Sequence, residues 1–206
     1  MSKNVLTRGK KQKALVLLNS GQLSEAMDLL AQVCAHTPAD TEAWMTRGVV
    51  CGRLNRHADA AECFRKAIML QPANAEAHFN LGIAERSLGF PDKAEATFRQ
   101  AIKLKPNYPE PLESLAHALI NRGAVEEAAE VLRAAVRLRP DNAEWISNLG
   151  SLLQAKGFLT EAEECYRRAQ SLKAGAGFVS ENLGSVLAAQ GRMDEALSVY
   201  REGLKR

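Results

Sequence analysis

Small and apolar residues return along this chain at a fixed interval of thirty-four positions. Ala26, Ala60, Ala94, Ala128, Ala162 and Ala196 form one unbroken line, and Gly48, Gly82, Gly150 and Gly184 form a second that Ala14 and Ala116 complete. Inside each interval the apolar residues recur three and four apart, as Ala26, Leu29, Leu30 and Val33 do, which is the spacing of one buried helix face. The stretch 75–108 carries the design most fully: Asn74 stands before a first helix, Gly89 breaks it, Pro91 and Asp92 open a second, and Pro106 ends that one. Proline tolerates a first helical turn because the amide it lacks has no partner there anyway, and aspartate favours the same place. The pattern predicts an all-α chain of helix pairs, each able to bury its apolar face only against its neighbours.

Six such units tile the chain as 7–40, 41–74, 75–108, 109–142, 143–176 and 177–206, with 1–6 as a short lead. The first is the least regular. Its Lys10 and Lys13 stand where later copies carry Trp44, Leu81, Leu115 and Leu149, as an end unit with one face in water requires. Its second helix is expected to follow the break at Gly21 with Ser24 as cap, and the second unit to start behind Pro38 with Asp40 as cap. In the fourth, Pro109 and Pro111 fit a helix only if both lie in its first turn. The fifth ends at Ala174 where earlier copies hold Pro38, Pro72, Pro106 and Pro140, and Gly175 and Gly177 predict a softer turn there. No further polar helix follows Leu204, and arrays of this kind cover their last apolar face with one, so self-association through the C-terminal unit is expected.

Composition narrows the chemistry. The 206 residues are 46% hydrophobic, 25% charged and only 5% aromatic, so the core must be built mainly from Ala and Leu. A net charge of +3, spread evenly, argues against a nucleic-acid partner, which needs a clustered basic face. Cys34, Cys51, Cys63 and Cys165 make no Cys-x-x-Cys pair and read as reduced, buried small hydrophobes. Lys10, Lys11 and Lys13 precede an apolar run at 14–18, but a signal peptide needs roughly 7–15 apolar residues and a membrane span about 20. A cytoplasmic chain without membrane insertion is expected. No Gly-rich phosphate loop, His-Glu-x-x-His or nucleophile elbow occurs, so neither catalysis nor a cofactor is expected.

The lines of residues resemble the tetratricopeptide repeat family, most densely at Trp44, Gly48, Ala60, Phe64, Ala67 and Pro72, and again at Leu81, Gly82, Ala94, Phe98, Ala101 and Pro106. The resemblance implies a right-handed α-solenoid superhelix of six antiparallel helix-turn-helix repeats, whose first helices line a groove for an extended peptide or a partner helix. On that architecture one groove line is Gln12, Thr46, Asn80, Ser114, Asn148 and Asn182, and a second, one turn on, is Leu15, Val49, Ile83, His117, Ser151 and Ser185. Phe79 adds a broad apolar neighbour. The asparagines suggest a ladder whose amides both donate to and accept from a peptide backbone, although asparagine before Leu-Gly is common across the family. Glu42, Glu76, Glu110 and Glu144 open successive first helices, where the helix N-terminus accounts for them; an acidic site for a basic partner is the other reading. His117 is a polar contact with no second ligand at zinc-site spacing. The carboxylate clamp of the family's co-chaperones is not carried over, since only Lys11 fits it and Leu15, Thr46, Glu76 and Asn80 do not. The expected function is a scaffold or adaptor for a protein or peptide partner, with the recruiting arm of a larger glycosyltransferase or sulfotransferase as the alternative.

Overall fold

Three polar residues set the starts of first helices. The side chains of Asp40, Asn74 and Asn142 accept from the amides of Ala43, Ala77 and Trp145 at 3.0, 3.0 and 3.1 Å, each satisfying an N–H that the helix itself leaves free. In a computed structural model that describes residues 3–172 and 176–204, these caps open three of twelve helices found among the described residues, which contain no strand. The softer turn expected at Gly175 lies outside the described residues, and Gly177 falls within a helix.

The chain divides into two compact units between Tyr108 and Pro109. Unit 1 holds α1 (Lys3–Asn19), α2 (Leu23–His36), α3 (Thr41–Arg53), α4 (His57–Leu70), α5 (Ala75–Ser87) and α6 (Pro91–Leu104). Unit 2 holds α7 (Pro109–Arg122), α8 (Val125–Leu138), α9 (Ala143–Ala155), α10 (Leu159–Ser171), α11 (Ala176–Ala189) and α12 (Met193–Gly203). Each is a stack of three helix hairpins in which consecutive helices pack, α1 on α2, α2 on α3 and so on within the unit. Helix α1 begins four residues ahead of Thr7. Pro38, Pro72, Pro106 and Pro140 each stand two residues beyond the end of a second helix, and Pro109 and Pro111 occupy the first turn of α7.

The turn inside every hairpin is left-handed. Gly21, Gly89, Gly123, Gly157 and Gly191 have φ between 78° and 81°, and Asn55 takes the same place at 58°. Asparagine is among the few other residues that tolerate this region. This turn displaces the expected cap at Ser24: α2 starts at Leu23, so Ser24 lies inside it, and the turn is closed by backbone, with the Gln22 amide donating to the Leu17 carbonyl at 2.9 Å.

Each hairpin closes on one small and one large residue. The six alanines from Ala26 to Ala196 are all at most 1% exposed and mark where the second helix meets the first. Opposite the glycines of the first helices stand aromatic rings. A Cβ added to Gly48 would come within 2.5 Å of the Phe64 ring, one on Gly82 within 2.5 Å of Phe98, and one on Gly150 within 3.0 Å of Tyr166; Gly184 meets Tyr200 in the same way. Ala14 and Ala116 break the glycine line at just the two hairpins where leucine, Leu30 or Leu132, replaces the ring. The volume lost on one helix is therefore returned on the other, as close packing requires.

Between hairpins, two rings reach back to proline carbonyls. Trp44 Nε1 donates to Pro38 O at 2.9 Å, and His78 Nε2, at the equivalent place, lies 3.0 Å from Pro72 O. Buried carboxylates are paired. Glu85, 5% exposed, accepts from Thr97 at 2.9 Å and Arg65 at 3.2 Å, and Glu163, 6% exposed, from Arg192 and Arg167 at 2.8 Å. Burial would raise the Glu163 carboxyl, but Arg192 and its neighbours hold it below its ordinary range. Cys34, Cys51 and Cys63 are buried and free, as expected; Cys165 is free but only half-buried.

Candidate peptide groove

The candidate groove residues sit three apart on the first helices, so each pair lies on one face of its helix. In unit 1 that face is recessed. A cavity of roughly 390 Å³ is floored by Leu15 and Leu18 of α1 and by Met45 and Val49 of α3, with Thr46, Gln71 and Asn74 beside them and Glu42 and Glu76 at its edge. A second recess of roughly 200 Å³ continues from Val49 to Asn80 and Ile83 of α5, over Gly52, His57 and Phe64. Thr46 and Val49 thus meet in the first recess, and Val49, Asn80 and Ile83 in the second. Beyond Leu15, a third recess is lined by Arg8, Lys11, Gln12 and Asp40.

The other candidates are placed differently. Phe79 is half-buried, its ring 6.0 Å from that of Phe98 and 5.4 Å from that of Tyr108, so much of its surface is spent on packing. Thr46 is 9% exposed and returns its hydroxyl to the Glu42 carbonyl at 2.8 Å; Ser114 is 8% exposed. In unit 2, His117 is exposed and Asn148 and Asn182 are half-buried. Ser151 and Ser185 belong to a hydrogen-bond chain: Ser151 Oγ lies 3.0 Å from Tyr166 Oη, which donates to Gln154 Oε1 at 3.1 Å, and Gln154 Nε2 donates to Ser185 Oγ at 3.1 Å. Burial raises the Tyr166 phenol above its ordinary value, with Ser151 acting against it. No group of three or more His, Cys, Asp or Glu that could hold a metal ion occurs among the described residues. No helix there is long and apolar enough to cross a membrane. Helix α12 leaves Met193, Leu197 and nearby Leu204 exposed.

Two features of unit 1 escape sequence reasoning. Leu18 and Met45 line the first recess although neither stands on the two expected lines: Leu18 lies one turn beyond Leu15, and Met45 immediately precedes Thr46, at the place Phe79 takes in the next repeat. Lys11 bridges from α1 to Asp40 at 2.9 Å and Glu42 at 2.7 Å. Burial lowers the Lys11 ammonium's pKa, but Glu42 and Asp40 outweigh it and hold the value above the ordinary one. Burial likewise works against ionised Asp40, yet Lys11 and the Ala43 amide hold that carboxyl below its usual range. A carboxyl depressed by folding stabilises the fold above its unfolded pKa and loses that contribution as pH falls through the folded one. Asp40→Ala should therefore cost about 1 kcal/mol near neutrality through the lost cap. In thermal melts the gap to the parent should close once the pH drops below the ordinary carboxylate range; a gap independent of pH would remove Asp40's charge from the account.

The family profile described as Cilia and flagella-associated protein 70 C-terminal domain matches residues 12–179, and one described as Tetratricopeptide repeat matches 180–206. No curated protein sequence matches the chain. Among solved structures the chain is similar to MamA, at 22% identity over 80% of this chain and 90% of that one with a TM-score of 0.74. It is also similar to YrrB, a tetratricopeptide repeat protein with an unusual peptide-binding site, at 18% identity over 85% and 91% with a TM-score of 0.77. PilF of Pseudomonas aeruginosa matches at 18% identity over 95% and 89%, again with a TM-score of 0.77. At such identities the likeness establishes the fold alone. Together with profile matches that run from residue 12 to 206, it establishes that the chain belongs to the tetratricopeptide repeat family, within the part described by the Cilia and flagella-associated protein 70 C-terminal domain.

Proposed function

We propose that this chain is a protein-interaction scaffold that binds an extended or helical segment of another protein along its first helices, and that it acts by binding and not by catalysis. The main support is the recessed, largely apolar face of α1, α3 and α5, where Val49 joins two adjoining recesses edged by Asn80 and Thr46. Apolar floors with a few polar groups are what a partner segment needs for anchoring and orientation. The peptide-binding site that YrrB's description gives to that protein is a precedent for the fold. The free, mostly buried thiols fit a reducing compartment, and we place the chain in the cytoplasm.

The expected ladder is tested by the triple variant Asn80→Ala/Asn148→Ala/Asn182→Ala. Losing hydrogen bonds to a bound backbone should weaken binding of a purified partner about tenfold or more by titration calorimetry. Unchanged affinity for every partner would dismiss the ladder and leave the apolar recesses as the whole of the site.

A further inference from the structure

The first recess in unit 1 combines an apolar floor with an edge that carries negative charge and no cation of its own. Leu15, Leu18, Met45 and Val49 make the floor; among the described residues that line it, Glu42 and Glu76 alone are charged. The helix N-termini explain why glutamates are tolerated at these two places, but not the charge balance around the cavity. Lys11 bridges Asp40 and Glu42, and Arg8 lines the neighbouring recess with them, so that side of the edge is close to balanced. Glu76, exposed in the first turn of α5, has no ion-pair partner among the described residues and leaves the opposite side of the edge negative. The whole chain is net positive at +3, so this is a local reversal and not a sample of the surface at large.

We propose that the occupant of this recess is a short basic and apolar segment of a partner protein, an aliphatic side chain flanked by lysine or arginine. The proposal deepens the scaffold reading and rests on it. A cavity of roughly 390 Å³ has room for more than one side chain. Lysine and arginine suit its edge because their hydrocarbon stems lie along apolar surface while the charged head stays at the rim, here beside Glu76 and Glu42. An acidic segment would bring a second uncompensated carboxylate to the same edge, beside Glu76. Charge of this kind governs which partner is accepted and how fast it arrives more than how tightly it is finally held.

The test uses three dye-labelled synthetic peptides of equal length, alternating leucine with lysine, with serine or with glutamate, titrated by fluorescence anisotropy against the whole chain. The leucine–lysine peptide should bind about tenfold or more tighter than the leucine–glutamate one at low salt, and the ratio should shrink as salt rises from about 0.02 to 0.3 M, where screening shortens to a few ångströms. Glu42→Gln/Glu76→Gln should bring the ratio close to one, while Val49→Ser should weaken all three peptides alike. Equal binding of the three peptides to the parent, still weakened by Val49→Ser, overturns the basic partner and leaves the scaffold reading standing. Peptide binding indifferent to Val49→Ser overturns both. A doubled mass by light scattering that excess leucine–lysine peptide returns to that of a single chain overturns the proposal in favour of a second copy as occupant. The comparison of peptides on the parent needs no variant, so it decides the matter even if a substitution unfolds the protein.

Discussion

Ala94→Asp should lower the melting temperature of unit 1 by roughly 12–24 °C, the shift that a loss of about 3 kcal/mol produces in a domain of about a hundred residues. Ala94 is 1% exposed at the point where α6 meets α5, with the fully buried Phe98 one turn further along its own helix. A carboxylate there has neither room nor water, and burying a charge without a partner is among the costliest single changes a core can suffer. Because consecutive helices of the stack rest on one another, the damage should spread from α5 and α6 to α4. Ala94→Ser separates size from charge and should cost much less. A melt of Ala94→Asp within about two degrees of the parent would show that this alanine does not stand at a closed crossing.

Gly82→Ala is the second large effect, and its sign is a contest. Helix propensity favours alanine over glycine by about 1 kcal/mol. Against that, the new methyl would stand 2.5 Å from the Phe98 ring, which is fully buried and has nowhere to go. Overpacking of this kind costs about 1–3 kcal/mol, so the net should be a loss of up to about 2 kcal/mol. Phe98→Leu alone should also destabilise, by leaving a void. The double variant rebuilds the combination that the chain already uses at Ala14 with Leu30 and at Ala116 with Leu132, so it should be more stable than the two losses added together, with a coupling of about 1 kcal/mol or more. Strict additivity in urea titrations would break the link between the two positions. The six hairpins are in this sense a mutational series within one molecule: four pair glycine with a ring, two pair alanine with leucine, and none crosses the combinations.

That pairing explains why so much of the fold is legible in the order of residues. Steric demands recur with every hairpin, so the lines of Ala94 and Gly82 repeat at one spacing and announce helix pairs without any knowledge of the partner helix. Breaks are legible for the same reason, though Asn55 hides one of the six turns behind a residue usually read as a cap. What is not legible depends on individual side-chain contacts that the repeat spacing does not encode. Thr46 and Ser114 look like groove residues because they are polar and correctly spaced, yet a small hydroxyl can be covered, as Thr46 is while it bonds the carbonyl four residues back. Ser151 and Ser185 are drawn into the Tyr166 chain, which no spacing foretells. Phe79 reads as groove surface and spends much of its ring on Phe98 and Tyr108. Lys11 reads as the one match to a carboxylate clamp the chain otherwise lacks, and only the packing around α1 brings it to Asp40 and Glu42.

The two tryptophans fall one in each compact unit and in unlike surroundings. Trp44, half-buried, donates its indole N–H to Pro38 and has the Arg47 guanidinium 5.6 Å from its ring centre. Trp145 is 1% exposed, its Nε1 has no hydrogen-bond acceptor among the described residues, and Arg139 lies 5.6 Å from its ring centre. The intact chain should thus carry two built-in emission probes, with the half-buried Trp44 expected to emit to the red of the buried Trp145. Replacing either with phenylalanine leaves a single optical reporter, by which the loosening of each half can be timed separately in the undivided protein.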